Sequence, residues 1–289
     1  MNKSEYNRVL ALTEERANTI RQQVNAGCSE IIDHVHVAAD AFYSGIVAKV
    51  PTWVNSAHSK KSVNNILKIK KQSTVYTEEL VGIIQQNLEA ETQIWLKGHL
   101  GPLVTTDITA LADTFNADTT SCFEQLRRLR LTLDVNQRKV VDAATPSAAN
   151  RFLSSGVSLL IGDWGGAIMG GFGGWDAMKK TLICEFGAGV ILGIIALFNP
   201  IGLTAIIVSM IISAIVGGTW AMEAIEGKIR TKVKEEMVKN LRSIGQRNKF
   251  KEMIDKHINK YLDCIRTDVE GRLKLLNATT DAFKLVTVD

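Results

Sequence analysis

The sequence predicts an all-α fold, an elongated antiparallel helical bundle carrying one apolar helical hairpin. Three observations lead there. Apolar residues recur at steps of three and four through most of the chain, and no stretch sustains the alternation of a β-strand. Only four prolines (Pro51, Pro102, Pro146, Pro200) punctuate 289 residues, far from the even turn signals of an all-β protein. The chain is 46% hydrophobic and 22% charged, which is a globular composition long enough for one large domain or two ordinary ones.

Proline disfavours helix interiors by about 3 kcal/mol, so helices are expected to end just ahead of each one. In the first stretch Ile20, Val24, Cys28, Ile31, Val35, Ala38, Phe42 and Ile46 form one apolar stripe on a helix of about forty residues. The second, from about Ser62 to Lys97, carries Ile66, Ile69, Leu80, Ile83, Ile84, Leu88 and Trp95. A third, from Leu103 to about Asp142, carries Ile108, Leu111, Phe115, Cys122, Leu126, Leu129 and Leu133. The last holds Ile229, Val233, Met237 and Leu241, breaks near Gly245, and resumes at Phe250, Ile254, Ile258, Leu262, Ile265, Val269, Leu273 and Leu276. Three segments follow: long helices over 1–150, a Gly-rich approach and apolar hairpin over 151–222, and a basic return helix over 223–289.

From Phe186 to Met222 no residue is charged. Asn199-Pro200-Ile201-Gly202 interrupts this run as a turn, which leaves two apolar arms, roughly Thr181–Phe198 and Leu203–Met222. A buried hairpin in a soluble bundle would need cover on every side, whereas each other helix offers a single stripe. Insertion into a membrane suits the segment better. Its lipid-facing residues would be Phe186, Val190, Ile191, Leu192, Ile194, Ile195, Leu197, Phe198, Ile201, Leu203, Ile206, Ile207, Met210 and Ile211. Trp164, Trp175 and Trp220 flank the block, where an aromatic belt sits. Lys179 and Lys180 precede the arms, and Lys228, Arg230, Lys232 and Lys234 open a run to Lys251 with nine basic and two acidic residues. Beside a bilayer such charges find anionic headgroups. The arm lengths fit a wedge in one leaflet better than two full spans, about 30 Å each. Gly173-Gly174 and Gly217-Gly218 read equally as hinges or as close-packing sites.

No catalytic constellation is present. The histidines His34, His36, His58, His99 and His257 are scattered, and no nucleophile elbow, zinc-protease or kinase pattern occurs. Neither an enzyme nor a cofactor or metal is expected. Cys28, Cys122, Cys184 and Cys264 stand far apart, which suits a reducing compartment. The polar start, Met1–Glu15, is unlike a signal peptide, so the expected location is cytoplasmic and membrane-associated. No aromatic residue interleaves the bases between Lys228 and Lys249, so nucleic acid is not an expected partner.

The order of elements resembles one known family. Gly173-Gly174-Trp175-Asp176, an apolar helix, Asn199-Pro200-Ile201-Gly202, a second apolar helix and the Lys-rich Lys228-Ile229-Arg230-Thr231-Lys232-Val233-Lys234 are similar to the paddle and trunk of bacterial dynamin-like proteins, particularly the cyanobacterial type. The resemblance implies a four-helix trunk with a lipid-inserting paddle, self-association on an anionic bilayer, and membrane remodelling by fusion or fission. No P-loop occurs, so the implied GTPase domain would belong to a partner or to a longer chain. Two other readings remain: an α-helical pore-forming protein that inserts the hairpin, and a soluble scaffold whose hairpin is buried by self-association.

Overall fold

The computed structural model describes residues 3–155, 200–216 and 224–286, and among them every element is helical, with no strand. In chain order these are α1 (Lys3–Ser56), a 3-10 turn (Ile66–Lys68), α2 (Ile69–Trp95), a π turn (Leu96–Leu100) and α3 (Gly101–Leu131). Then come α4 (Val135–Ala144), α5 (Ser147–Ser155), α6 (Pro200–Val216), α7 (Ile225–Leu241) and α8 (Ile244–Lys284). Two compact units emerge. The first takes the described residues of Met1–Asp33, Leu103–Leu182 and Ile258–Asp289; the second takes those of His34–Pro102 and Ile183–His257. This partition cuts across the three sequence segments, because α1 and α8 each contribute to both units.

In the first unit α1 buries Leu10, Thr13, Ala17, Ile20, Val24, Cys28 and Ile31, the three-and-four spacing expected of it. Gly27 sits in this helix without breaking it. A Cβ there would come within 2.6 Å of Leu111 Cδ1, so the glycine permits close approach of α1 to α3. From α8 the unit buries Ile258, Leu262, Ile265, Val269, Leu273 and Leu276. The α1 and α8 surfaces are tied by Arg21, whose Nε and Nη2 donate to Glu270 at 2.5 and 3.0 Å.

The core of this unit also holds a charge pair. Asp268 and Arg272, one helical turn apart on α8, have side chains only 1% and 4% exposed, with Arg272 Nη2 3.0 Å from Asp268 Oδ2. Arg272 Nη1 donates to Asn116 Oδ1 of α3 at 2.5 Å, and its guanidinium lies 4.9 Å from the Phe115 ring centre. Neither carboxylate oxygen accepts a well-aligned hydrogen bond, and Arg272 Nε donates none. Burial pushes the Asp268 carboxyl above its usual range, and the neighbouring guanidinium offsets this only in part.

In the second unit α1 buries Val35, Ala39, Tyr43, Ile46, Val50 and Trp53. Phe42 stacks on Trp95 of α2 with ring centres 4.3 Å apart, and Phe250 of α8 packs against Phe42, Tyr43 and Trp95. Tyr43 donates its hydroxyl to the Leu241 carbonyl at 3.0 Å, which satisfies an open acceptor at the end of α7. Burial raises that phenol to about 12.

Several boundaries depart from expectation. Pro51 lies inside α1 near its end, where the missing N–H removes a bond only from the final turns. Pro102 is the second residue of α3, and helical geometry continues through the π turn before it. There Gly101 N–H donates to Leu96 O, five residues back, which widens the backbone ahead of the proline ring. Pro200, expected in a turn, is the first described residue of α6 and has helical geometry. The stretch expected to run on to Asp142 breaks after Leu131. Asp134 and Gln137 form a capping box that starts α4, and Arg138 donates to Leu131 O and Leu133 O at the end of α3. Arg130 then clamps Asp142 in a bidentate pair at 2.8 and 2.7 Å. The break expected at Gly245 falls at Arg242-Ser243.

Candidate functional site

Helix α6 is the described part of the apolar segment. Its 17 residues contain no charge and are rich in Ile, Leu and Val. Buried aliphatic helices of this length occur in ordinary cores, so the question is how α6 is covered. It packs on α2 and α7. One face is sealed: Thr204, Ile207, Val208 and Ile211 are buried. The other is not. Ile206 remains 52% exposed, and Ala205, Ser209 and Ser213 lie on the same open side.

The seat offered by α2 is chemically mixed. Lys70, Thr74, Glu78, Val81, Gly82 and Gln85 form one wall of a groove of about 580 Å³; Thr204, Ala205, Val208, Ser209 and Ile212 form the other. An uncharged helix thus faces a wall bearing an ammonium, a carboxylate and an amide. Each of the three buried aliphatics of α6 is worth about 1.5–3 kcal/mol to the contact. The exposed Ala205, Ile206, Ser209 and Ser213 gain little from that seat.

The base of α7 is fixed by three hydrogen bonds. Arg230 donates from Nη1 to Val54 O (2.8 Å), one of the carbonyls left open at the end of α1, and from Nε to Tyr76 Oη (3.0 Å). Glu226 accepts from the Val63 N–H at 2.9 Å. Arg230, expected to face headgroups, is therefore half-buried and occupied in the fold. Lys232 pairs with Glu235 at 2.6 Å, Lys228 is exposed and Lys234 half-exposed. Farther along, Asp40 of α1 is held by Arg247 (3.0 Å) and Lys251 (2.8 Å) of α8. Burial alone would raise this carboxyl, but the hydrogen bonds from Arg247 and Lys251 outweigh it and hold it below the usual range.

Of the expected lipid-facing residues, Ile206, Ile207, Met210 and Ile211 have described side chains: Ile206 exposed, Met210 half-exposed, Ile207 and Ile211 buried against the seat. Ile201, Leu203 and the turn residues Pro200 and Gly202 belong to the first turn of α6. Phe186, Val190, Ile191, Leu192, Ile194, Ile195, Leu197, Phe198 and Asn199 lie outside the described residues, as do Trp164, Trp175, Lys179, Lys180, Trp220, Gly173, Gly174, Gly217 and Gly218. No described helix is both long and apolar enough to cross a membrane.

Other chemistry is sparse. Among the described residues no group of His, Cys, Asp and Glu is arranged to hold a metal ion. His36 pairs with Asp255 at 2.5 Å, and His58 Nδ1 lies 2.7 Å from Ser56 O. Cys28 and Cys122 are buried thiols, the latter raised to about 11 by burial, so neither is poised as a nucleophile.

Periodicity placed Ile66 in an apolar stripe, yet it is 61% exposed and the next residue, Leu67, is 93% exposed. Both lie on the 3-10 turn that leads into α2. The available signal was local: Lys60, Lys61, Lys68, Lys70 and Lys71 surround them, and no acidic residue occurs between His58 and Glu78. No protein-family model matches the chain, and no curated protein or solved structure matches it either.

Proposed function

We propose that this chain binds anionic membranes by releasing α6, with the rest of the apolar segment, from its seat on α2 into the bilayer, and that many copies together remodel the membrane. The observation that carries this reading is the mismatch at the seat. An uncharged helix is sealed on one side only and rests over a groove walled by Lys70, Glu78 and Gln85. Ala205, Ile206, Ser209 and Ser213 of α6 face water, whereas hydrocarbon covers the whole helix. The similarity to bacterial dynamin-like proteins, which rests on element order, supports the same reading. It adds self-association on the bilayer and a partner that carries a GTPase domain. On this reading the chain acts mechanically, on the cytoplasmic side of a membrane.

The pore-forming alternative draws on one feature. Ala205, Ser209 and Ser213 share the open side of α6, a short small-and-polar stripe of the kind that lines a channel. Flotation with dye-loaded vesicles separates the readings. A remodelling module floats with vesicles containing phosphatidylserine and releases little dye; a pore releases dye selectively by size; a scaffold does neither. Ile206→Asp tests the insertion itself. Ile206 is exposed, so the fold tolerates the change, but a carboxylate at membrane depth costs about 2.5–3.5 kcal/mol. Flotation should fall by about two orders of magnitude. Equal flotation of wild type and variant refutes insertion of α6.

A further inference from the structure

We infer that the lysine-rich turn ahead of α2 is a second membrane-contact element, separate from the apolar segment, that docks on an anionic lipid surface. The turn is built, not merely exposed. Glu79 receives the Ser59 hydroxyl and the Lys60 N–H (3.2 Å), Glu226 receives the Val63 N–H, and Gln72 Oε1 receives the N–H groups of Asn64 (3.2 Å) and Asn65 (3.0 Å). Val63 is buried at 4%. Asn65 then caps the 3-10 turn by accepting from Leu67 N–H at 2.9 Å. These anchors hold Ile66 and Leu67 outward, 61% and 93% exposed, where no described residue packs over them. A turn pinned at this many points and crowned by two bare aliphatics has an apolar surface to spend on something else.

Charge identifies the occupant. Lys60, Lys61, Lys68, Lys70 and Lys71 are all exposed, and among the described residues none of their ammonium groups forms an ion pair. Glu79 lies near Lys61, but its oxygens already serve Ser59 and the loop backbone, which hold its carboxyl below the usual range. Basic side chains ringing a pair of projecting aliphatics match a surface with anionic headgroups above hydrocarbon. Nucleic acid would use the lysines but leave Ile66 and Leu67 unexplained, and between Ser59 and Lys68 the turn has no Phe, Tyr, Trp or His on which a base could stack. The element also lies well for the purpose. It leads into α2, whose Lys70 and Thr74 wall the groove beneath α6, and it is bonded to the first turn of α7.

This inference rests on the reading that the chain acts on membranes, and the test separates the two. The full chain is floated with phosphatidylcholine vesicles with and without phosphatidylserine, as wild type, Ile66→Ser/Leu67→Ser, Lys60→Gln/Lys68→Gln/Lys71→Gln and Ile206→Asp. Each lysine near the surface is worth about a five-fold change in affinity, so the triple variant should bind anionic vesicles about 100-fold more weakly. The serine pair should lose about ten-fold or more. Both should keep the wild-type melting temperature, because the altered side chains are exposed. If the loop variants bind as wild type while Ile206→Asp does not, the loop proposal falls and the function of α6 stands. If the loop variants lose binding and Ile206→Asp keeps it, the loop stands and α6 insertion falls. Wild type that ignores both vesicle types overturns both. A short single-stranded RNA is the competing probe: loss of RNA binding with unchanged vesicle binding in the lysine variant would assign the turn to nucleic acid and overturn the proposal.

Discussion

Removing the charge of Arg272 should expose how poorly the buried pair of the first unit is compensated. Asp268 and Arg272 are 1% and 4% exposed, and the carboxylate accepts no well-aligned hydrogen bond despite the 3.0 Å approach of Nη2. Arg272→Met leaves a carboxylate in the core without its cation, at a cost of about 3–5 kcal/mol. At about 2–4 °C per kcal/mol, the melting temperature should fall by roughly 10 °C at neutral pH. Replacing both groups, Asp268→Leu with Arg272→Met, removes two desolvation penalties at once and should return stability to the wild-type value or raise it by about 1–4 kcal/mol. Acid provides the sign test. The folded pKa of Asp268 lies above its unfolded value, so the folded state takes up the proton first, and the group favours folding most below about pH 4 and progressively less as pH rises through its folded pKa. Without Arg272 that folded pKa rises further, and the deficit of Arg272→Met should shrink on acidification. Urea unfolding at neutral and mildly acidic pH reads all of this. A single variant as stable as wild type, or a double variant as unstable as the single, refutes the reasoning.

Three other outcomes follow from the geometry. Gly101→Ala places a Cβ 2.7 Å from the Leu96 carbonyl oxygen of the π turn, which must shift, and thermal melting should show a loss of about 1–3 kcal/mol. Arg230→Met strips the cap from Val54 O and the partner from Tyr76 while keeping the aliphatic stem; about 1–3 kcal/mol should be lost, and hydrogen exchange should quicken at the end of α1, whereas unchanged protection there contradicts the capping role. Asp40→Asn loses a carboxylate whose folded pKa is depressed, so its contribution is complete above about pH 4 and disappears as pH falls through the folded value. With Arg247 50% exposed the effect is at most about 1 kcal/mol, and the gap between variant and wild type in urea should close in acid.

The buried stripes of α1, α3 and α8 were legible because each apolar position meets another helix, and helix periodicity records that directly. Prolines misled because their consequence depends on position within a helix: Pro51 near an end and Pro102 beside a π turn avoid the interior penalty. The start of α4 was readable in principle from Asp134 and Gln137, three apart. Basic residues were the least legible. Arg230 and Lys228 look alike in sequence, but only the former reaches Val54, 176 residues away along the chain. Ile66 continued an apolar spacing, but no described helix packs on it, which the spacing does not record.

The central claim is that α6 exchanges its seat on α2 for the bilayer interior. An environment-sensitive fluorophore on Ile206→Cys, in a Cys184→Ser/Cys264→Ser background, tests it directly with vesicles carrying nitroxide-labelled acyl chains. The account predicts a blue-shifted emission that is quenched by the acyl nitroxide on vesicles containing phosphatidylserine. It predicts unshifted emission in buffer or on phosphatidylcholine alone. A probe that stays water-like and unquenched while the protein floats with anionic vesicles would contradict it.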